Sequence, residues 1–296
     1  LCFFSAAVTR IFEQVQKRAE DMASALLRGV AREDQPFLSF LGGGDEAIWI
    51  APAGIAVQLA DQLPGWIEEE TGRIPGLRER LREYDFPAIT IGTGLLLCDR
   101  GYPVRYQLDL AAQLQKSAKG MFYRSGGRSE GKVVSSIDFE LLTDASPLSE
   151  RIETSRKVAY STEEDGFLRT CRPYTAEAFS ALADRMRKAR AQMAGSQLHG
   201  LQSGAAEGQR VFLNALRYQV GRDPVGKKYR RWLEDLGVDW AVPEGIRNFF
   251  IQELPPDEKG VPQTGTWIAD GLQLVSFLDQ LGKMGEKTST PVTEDR

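Results

Sequence analysis

The feature that most constrains the fold is a run of three glycines at positions 42–44, set between two short apolar segments. The segments 36–41 and 47–51 have the length and residue types of β-strands. Glycine adopts positive φ without steric cost, so the run favours a tight turn that joins the two strands into a hairpin. Asp45 and Glu46 follow the glycines directly, so this turn would carry two adjacent carboxylates.

Helical and strand patterns alternate around the hairpin. Apolar residues recur at steps of three, four or seven from Phe4, which predicts a helix that ends near Gly29. Downstream, the patterns predict a helix that opens at Pro52, a short helical piece within 71–87, a strand at 88–98, a helix over 102–120 that stops at Gly120, and a long strand over 132–144. The segment 156–174 is compatible with a further hairpin. This order predicts an α+β fold in which helices cover a small sheet.

The character of the chain changes after Pro173, where helix-forming segments follow one another. We therefore predict an α+β domain over 1–174 and an all-α domain over 175–283. A Gly/Ser-rich break is expected over 194–208 inside the helical part. Residues 284–296 have no apolar anchor and are predicted to be disordered.

Composition excludes several classes of function. The formal net charge of −4 argues against a general nucleic-acid binder. Three distant cysteines, Cys2, Cys98 and Cys171, form no CxxC pair, which argues against a zinc site or a disulfide framework and fits a reducing cytoplasm. The chain has a single histidine, His199, which excludes a nuclease that uses paired histidines. His199 lies in a polar stretch that is expected to be a loop. No apolar run approaches the ~20 residues of a membrane span.

The two carboxylates at the turn suggest a metal site. Asp45 and Glu46 offer the hard oxygen ligands that Mg²⁺ prefers. A pair of such ions about 3.5–4 Å apart can activate an attacking hydroxyl and stabilise a leaving pyrophosphate. Gly-Gly-Asp turns are also common between strands, so the turn alone leaves open a plain, solvent-exposed hairpin tip.

Four segments in sequence carry a more specific resemblance: 37–52, 88–120, 135–142 and 172–175. Together they resemble the C-terminal palm of the large polymerase/cyclase subunit of type III CRISPR effector complexes. The resemblance covers about residues 4–175, and extends to the helical part by position and character only. It implies a ferredoxin-like, nucleotide-cyclase-type palm followed by an all-α domain.

The resemblance also implies an activity and partners. Proteins of that family convert ATP into cyclic oligoadenylate with Mg²⁺ or Mn²⁺, within a ribonucleoprotein that contains other subunits, a guide RNA and a target RNA. Gly43, Gly44, Asp45 and Glu46 fall on the family's Gly-Gly-Asp-Asp motif. Lys119 falls where a lysine could meet the triphosphate, although a lysine near a helix C-terminus is also favoured by the helix dipole.

Diguanylate cyclases share this hairpin and form an alternative. Their motif continues with a phenylalanine where this chain has Ala47, and their upstream Arg-x-x-Asp site is missing. These differences, with the segment 172–175 and the helical part, favour the CRISPR family.

The chain departs from the family pattern in three ways. Glu46 stands in place of the second aspartate. Its side chain is one methylene longer than that of aspartate, and the octahedral coordination of Mg²⁺ tolerates misplaced ligands poorly. The family's opening strand, which carries a further metal-binding aspartate, is not found before the first helix, and no acidic residue precedes Glu13. Either this strand lies upstream in a longer protein, or the palm is degenerate and lacks it. The family's histidine–aspartate nuclease domain is also not found.

Two further motifs favour structural interpretations. Arg222, Lys227, Lys228, Arg230 and Arg231 cluster within ten residues and could touch RNA phosphates, although a solvated helical face is favoured. The segment 172–175 predicts that Pro173 ends a strand and that Thr175 caps the next helix.

Overall fold

The computed structural model describes residues 2–28, 36–41, 45–84, 86, 88–124, 134–142, 152–162, 166–222, 228–256 and 260–278. Within these ranges the fold is mixed α+β, as the sequence predicts. The helices are α1 Cys2–Leu26, α2 Ala53–Arg73, α3 Leu77–Arg82, α4 Val104–Arg124, α5 Ile152–Tyr160, α6 Ala176–Gln192, α7 Gly195–Ala206, α8 Gln209–Arg222, α9 Lys228–Asp235, α10 Pro243–Phe250 and α11 Ile268–Leu278. The strands are β1 Leu38–Leu41, β2 Ala47–Ile50, β3 Gly92–Leu97, β4 Ser136–Leu141, β5 Phe167–Leu168, β6 Tyr174–Thr175, β7 Ile251–Leu254 and β8 Gln263–Thr266.

The predicted hairpin forms. Strands β1 and β2 pair antiparallel, with Leu38 opposite Ile50 and Leu41 opposite Ala47. Side chains alternate between the two faces of the ribbon. Trp49 packs inward against apolar clusters built from α1, α2 and α3, whereas Ile48 is 41% exposed on the outer face. The hairpin is therefore held through one face by the helices.

A βαβ unit forms the second sheet. Strands β3 and β4 are parallel and are connected through α4, while β6 pairs antiparallel with the far side of β4. Helix α4 lies very close to β3: a Cβ added at Gly94 would stand 2.4 Å from the Ala111 carbonyl oxygen and 2.5 Å from the Gln115 nitrogen. Only glycine fits at this contact.

A third sheet joins distant parts of the chain. Strand β5 pairs parallel with β8, which pairs antiparallel with β7, so Phe167 lies opposite Thr264. The prediction that residues 175–283 are all helical is wrong at β7 and β8. The sheet also crosses residue 174, where the sequence patterns set the domain boundary.

The largest apolar core likewise includes residues from both sides of that boundary. Phe139 from β4 contacts Phe179 from α6, and Val57 from α2 belongs to the same buried cluster as Trp232 and Trp267. Smaller clusters hold α1 against α2 and α3 through Ile11, Val15, Leu63, Ile67 and Leu77. Two alanines of α1, Ala19 and Ala23, are fully buried, although the sequence pattern emphasised larger side chains.

Three local predictions need correction. Helix α4 continues past Gly120 to Arg124, since a helix-interior glycine costs only about 1 kcal/mol. The proposed hairpin over 156–174 is instead helix α5 followed by two short strands. The Gly/Ser-rich stretch is helix α7, because Leu198, Leu201 and Ala205 give it a buried stripe. His199 therefore lies on a helix, exposed as expected.

Helix α6 begins at a side-chain cap. The Thr175 hydroxyl accepts a hydrogen bond of 3.1 Å from the Ala178 amide, so the predicted cap of α6 is confirmed. Among the helices in the described ranges, none has both the length and the apolar character that a bilayer crossing requires.

Candidate functional site

The carboxylates of the hairpin lie at the end of the turn. Asp45 occupies the turn, Glu46 leads into β2, and both are exposed. Gly43 and Gly44, which the resemblance assigns to nucleotide binding, lie outside the described residues. Solvent therefore reaches both acids, which stand beside the first residue pair of the hairpin, Leu41 and Ala47.

Lys119 lies on α4 over the start of β3. Its Cγ would be 2.6 Å from a Cβ at Gly92, so the aliphatic stem crosses the strand where the glycine leaves room. The residue is exposed and stands inside α4, not at the helix end that the sequence predicts. Among the described residues, no hydrogen bond or ion pair connects Lys119 with Asp45 or Glu46.

The structure also reveals a buried ionic cluster on β4 that the sequence interpretation missed. Asp138 and Glu140 are two residues apart on this strand, and both are buried. Arg156 on α5 bridges them: its Nη1 is 2.8 Å from Asp138 Oδ2 and its Nε is 2.8 Å from Glu140 Oε2. Its Nη2 donates to the Phe139 carbonyl at 2.7 Å. The Arg156 guanidinium thus contacts three consecutive residues of the strand.

A second arginine extends this cluster to the last helix. Arg172, fully buried, places Nη1 3.1 Å from Glu140 Oε1 and Nε 2.9 Å from Asp270 Oδ1. Its guanidinium lies 4.6 Å from the ring centres of both Phe139 and Tyr160. The side chain is held by charge and by aromatic faces at once.

Asp270 receives further hydrogen bonds from the segment that contains Arg172. Donors to Oδ2 are the Thr170 hydroxyl at 3.0 Å, the Cys171 amide at 2.8 Å and the Tyr174 hydroxyl at 2.6 Å. A buried carboxylate needs this degree of pairing, because an unpaired buried charge is very costly. Residues 170–174, which include most of the segment 172–175 singled out above, therefore form the binding site for the Asp270 side chain of α11.

The electrostatics of the cluster follow from these contacts. Burial alone would raise the pKa of Glu140, but the charges of Arg172 and Arg156, with hydrogen bonds from Arg156 and Tyr160, lower it. Burial raises the pKa of Asp270, and Arg172 and three hydrogen bonds oppose that rise only in part. The pKa of Arg172 is well above its usual value, because Asp270 and Glu140 outweigh the effect of burial.

A sequence signal for this cluster existed. Acids at alternate positions of an otherwise apolar strand, Asp138 and Glu140, predict a solvated face when no partner is known. The partners Arg156, Arg172 and Asp270 are 16 to 132 residues away in the chain, so no local pattern connects them. Only the packing of α5 and α11 brings the charges together.

No family model and no curated protein matches the chain. The interpretation of the site therefore depends on its residues.

A cavity of about 460 Å³ borders the ionic cluster. It is lined by apolar and neutral polar side chains and by one arginine: Leu141, Tyr160, Arg169, Gln202, Leu272 and Gln273. The Tyr160 hydroxyl donates to Glu140 at 2.7 Å and accepts from Gln273 at 3.0 Å. This wall of the cavity is thus fixed by the cluster behind it.

The donor set of the hairpin suits a magnesium ion only in part. Asp45 and Glu46 supply carboxylate oxygens, and Mg²⁺ is commonly bound by one or two carboxylates together with water and substrate phosphates. Among the described residues, no group of three or more acidic, histidine or cysteine side chains is arranged as a metal site. The two carboxylates alone would leave most of an octahedral Mg²⁺ shell to water or other ligands.

Proposed function

We propose that this chain is the palm-containing part of a nucleotidyltransferase that makes cyclic oligoadenylate from ATP within a type III CRISPR RNA-guided complex. The observation that carries the proposal is the hairpin with Asp45 and Glu46 at its turn, followed by a helix and a βαβ unit in the order that the resemblance implies. Fold alone does not define a function, so the acids at the turn carry most of the weight.

In this proposal Asp45 and Glu46 hold the metal. Magnesium or manganese bound there would supply Lewis-acid stabilisation of charge on the transferring phosphoryl group. The exposed position of both acids lets a triphosphate approach from solvent. Gly43 and Gly44 are assigned to the approach of the nucleotide to the backbone, and Lys119 to a triphosphate contact.

The test uses the assembled complex with its guide RNA. Incubation with ATP, Mg²⁺ and target RNA should yield a cyclic product detectable by mass spectrometry. Asp45→Ala should abolish the product, because it removes a metal ligand. The matched control is Asp109→Ala, which removes an exposed acid on α4 outside the proposed site and should leave product formation unchanged.

A second candidate function is a catalytically inactive palm that serves as a structural and RNA-contacting subunit of the same complex. Glu46 favours it, since this residue replaces the aspartate of the family motif and would misplace its carboxylate by one methylene. The complex would then yield no cyclic product with Mg²⁺ or Mn²⁺. Product formed only after Glu46→Asp would identify the substitution as the cause.

A free-standing cyclic-nucleotide synthase is the third possibility, and the same assay separates it. Product made by the isolated protein, without RNA or other subunits, would favour it over the CRISPR complex. Dependence of the product on target RNA would exclude it.

A further inference from the structure

The exposed side of α8 is basic although the chain as a whole is acidic. The helix sequence contains Arg210, Arg217 and Arg222 and no aspartate or glutamate, whereas the formal net charge of the chain is −4. All three arginines are exposed. The opposite face is apolar and buried through Phe212, Leu213, Leu216 and Val220. The basic residues are therefore confined to the solvent side.

The charges are spread over the exposed surface of α8. Arg210 and Arg217 are seven residues apart, so they lie on the same side of the helix and about 10 Å apart along its axis. Arg222 follows about 7 Å further on but lies about 140° around the axis from Arg217, and Tyr218 lies between them. Because the charges do not converge on one point, they suit an extended polyanion better than a small anion.

An exposed aromatic residue stands among these arginines. Tyr218 is 58% exposed, and the Arg222 guanidinium lies 5.2 Å from its ring centre while Nη1 donates to its hydroxyl at 2.7 Å. The pair is thus ordered before any ligand binds. Bases of single-stranded nucleic acids stack on such exposed rings without sequence preference.

Helix α9 adds further exposed cations near the end of α8. Arg230 donates to the Val220 carbonyl at 3.2 Å and lies 4.6 Å from the Trp240 ring centre, which fixes α9 beside the end of α8. Lys228 and Arg231 on α9 remain exposed. Within the described part of the chain, no carboxylate forms an ion pair with Arg217, Lys228 or Arg231.

The carboxylates of α9 are engaged elsewhere. Glu234 accepts from Trp240 Nε1 at 3.0 Å, and Asp235 accepts from Gln192 Nε2 at 2.6 Å. Both stand at the end of α9 away from Lys228. Within the described residues, neither acid forms an ion pair with Lys228 or Arg231.

We propose that this basic face, formed by Arg217, Tyr218 and Arg222 of α8 with Lys228 and Arg231 of α9, binds the backbone of a single-stranded nucleic acid. Arginine and lysine contact the phosphates, and Tyr218 stacks on a base. The proposal rests on charge, exposure and the ordered Tyr218–Arg222 pair, and is independent of nucleotidyl transfer.

Fluorescence anisotropy with a labelled single-stranded RNA of about 20 nucleotides, longer than the site sizes of known modules, tests the surface. Arg217→Glu with Arg222→Glu should weaken binding by the full chain at least about tenfold at low salt. The control, Arg82→Glu with Arg100→Glu, makes the same change in net charge at exposed positions elsewhere and should bind like the original protein. Equal weakening by both pairs would overturn the proposal, because net charge alone would then explain the affinity.

Salt dependence and stacking supply two further measurements. The corresponding alanine pair should lower the slope of log K against log salt by about 1.4, which is about 0.7 for each lost phosphate contact with a single strand. Tyr218→Ala should weaken RNA binding about tenfold, whereas Tyr84→Ala, which removes a tyrosine that is 61% exposed, should not.

An acidic protein surface is the competing occupant, and the same assay separates it. If Tyr218→Ala has no effect and polyglutamate of equal charge displaces the RNA at equal concentration, the nucleic-acid proposal is overturned. Asp45→Ala should bind RNA normally, so loss of the proposed activity and loss of binding remain distinguishable. Circular dichroism and melting temperature verify that each variant is folded.

Discussion

Arg172 and Asp270, 98 residues apart in the chain, form an ion pair in which both side chains are fully buried and Nε lies 2.9 Å from Oδ1. The pair ties α11 to the segment that follows β5. Because Arg172 also contacts Glu140 and the Phe139 carbonyl, the same guanidinium connects α11 with the central strand β4. Much of the stability of the fold should therefore depend on this one side chain.

Replacement of Arg172 by methionine should destabilise the protein by about 3–5 kcal/mol, since Asp270 and Glu140 would lose a buried counter-charge. Urea denaturation followed by circular dichroism measures the change. Arg187→Met is the matched control: Arg187 pairs with Asp184 at the surface, with side chains 40% and 65% exposed, and should cost less than about 1 kcal/mol. Equal costs for both variants would contradict this account of the cluster.

The ionisation of Glu140 should make its contribution depend on pH. Its pKa in the folded protein lies below the ordinary value of 4.5, so its stabilising contribution is complete above that value and is lost as pH falls through the folded pKa. The difference in unfolding free energy between the original protein and Glu140→Gln should be largest at neutral pH and shrink toward about pH 3.

The comparison with Glu140→Gln changes one carboxyl among several. Burial raises the pKa of Asp270, which gives a pH dependence of opposite sign in both proteins. Because Arg172 pairs with both acids, the difference reports Glu140 together with its coupling to Asp270. Denaturation at a series of pH values provides the measurement. A difference that stays constant from neutral to acid pH would show that Glu140 is not stabilised as a carboxylate.

The close approach of α4 to β3 predicts a severe effect of a single methyl group. Gly94→Ala places a Cβ 2.4 Å from a backbone oxygen of α4, so the helix must move, and we expect a loss of about 3 kcal/mol. At Gly200, on the exposed side of α7, no atom lies within 4 Å of an added Cβ. Gly200→Ala should instead stabilise by about 0.5–1 kcal/mol. Thermal denaturation of the two variants tests the opposite signs.

The two faces of the hairpin should respond differently to truncation. Trp49 packs against the clusters beneath the ribbon, and Trp49→Ala should cost about 3 kcal/mol. Ile48 is its exposed neighbour, and Ile48→Ala should lower the free energy of unfolding by less than about 1 kcal/mol. If the two costs are similar, the inward packing of the hairpin is incorrect.

The sequence was sufficient for elements that depend on local patterns. The hairpin, the strands β3 and β4 and the helices α1, α2 and α6 follow from apolar periodicity and turn residues, and Thr175 caps α6 as predicted. Helix α7 was hidden because glycine and serine imply a loop, whereas its buried leucines depend on neighbours distant in the chain. Tertiary contacts decided that case against local propensity.

The sequence predicts the pair of acids at the hairpin turn but not the buried ionic cluster. Asp45 and Glu46 are adjacent in the chain, so a turn places them together without any knowledge of the fold. The cluster of Glu140, Arg156 and Asp270 needs three elements to meet, and no spacing rule connects them. Strand β8 pairs with β5 far upstream, but β7 and β8 also pair locally with each other, and they were missed because the segments around them have helix-like apolar patterns.

The parallel pairing of β5 with β8 has a consequence for synthesis on the ribosome. Phe167 pairs with Thr264, and about a hundred residues must be added before the partner strand emerges. At about 5–20 residues per second, this takes roughly 5–20 s. During that interval Phe167 lacks its partner strand β8, and Tyr174 lacks its hydrogen-bond acceptor Asp270 on α11. The nascent chain therefore exposes these residues until β8 and α11 have emerged, and we expect a chaperone to bind it during this interval.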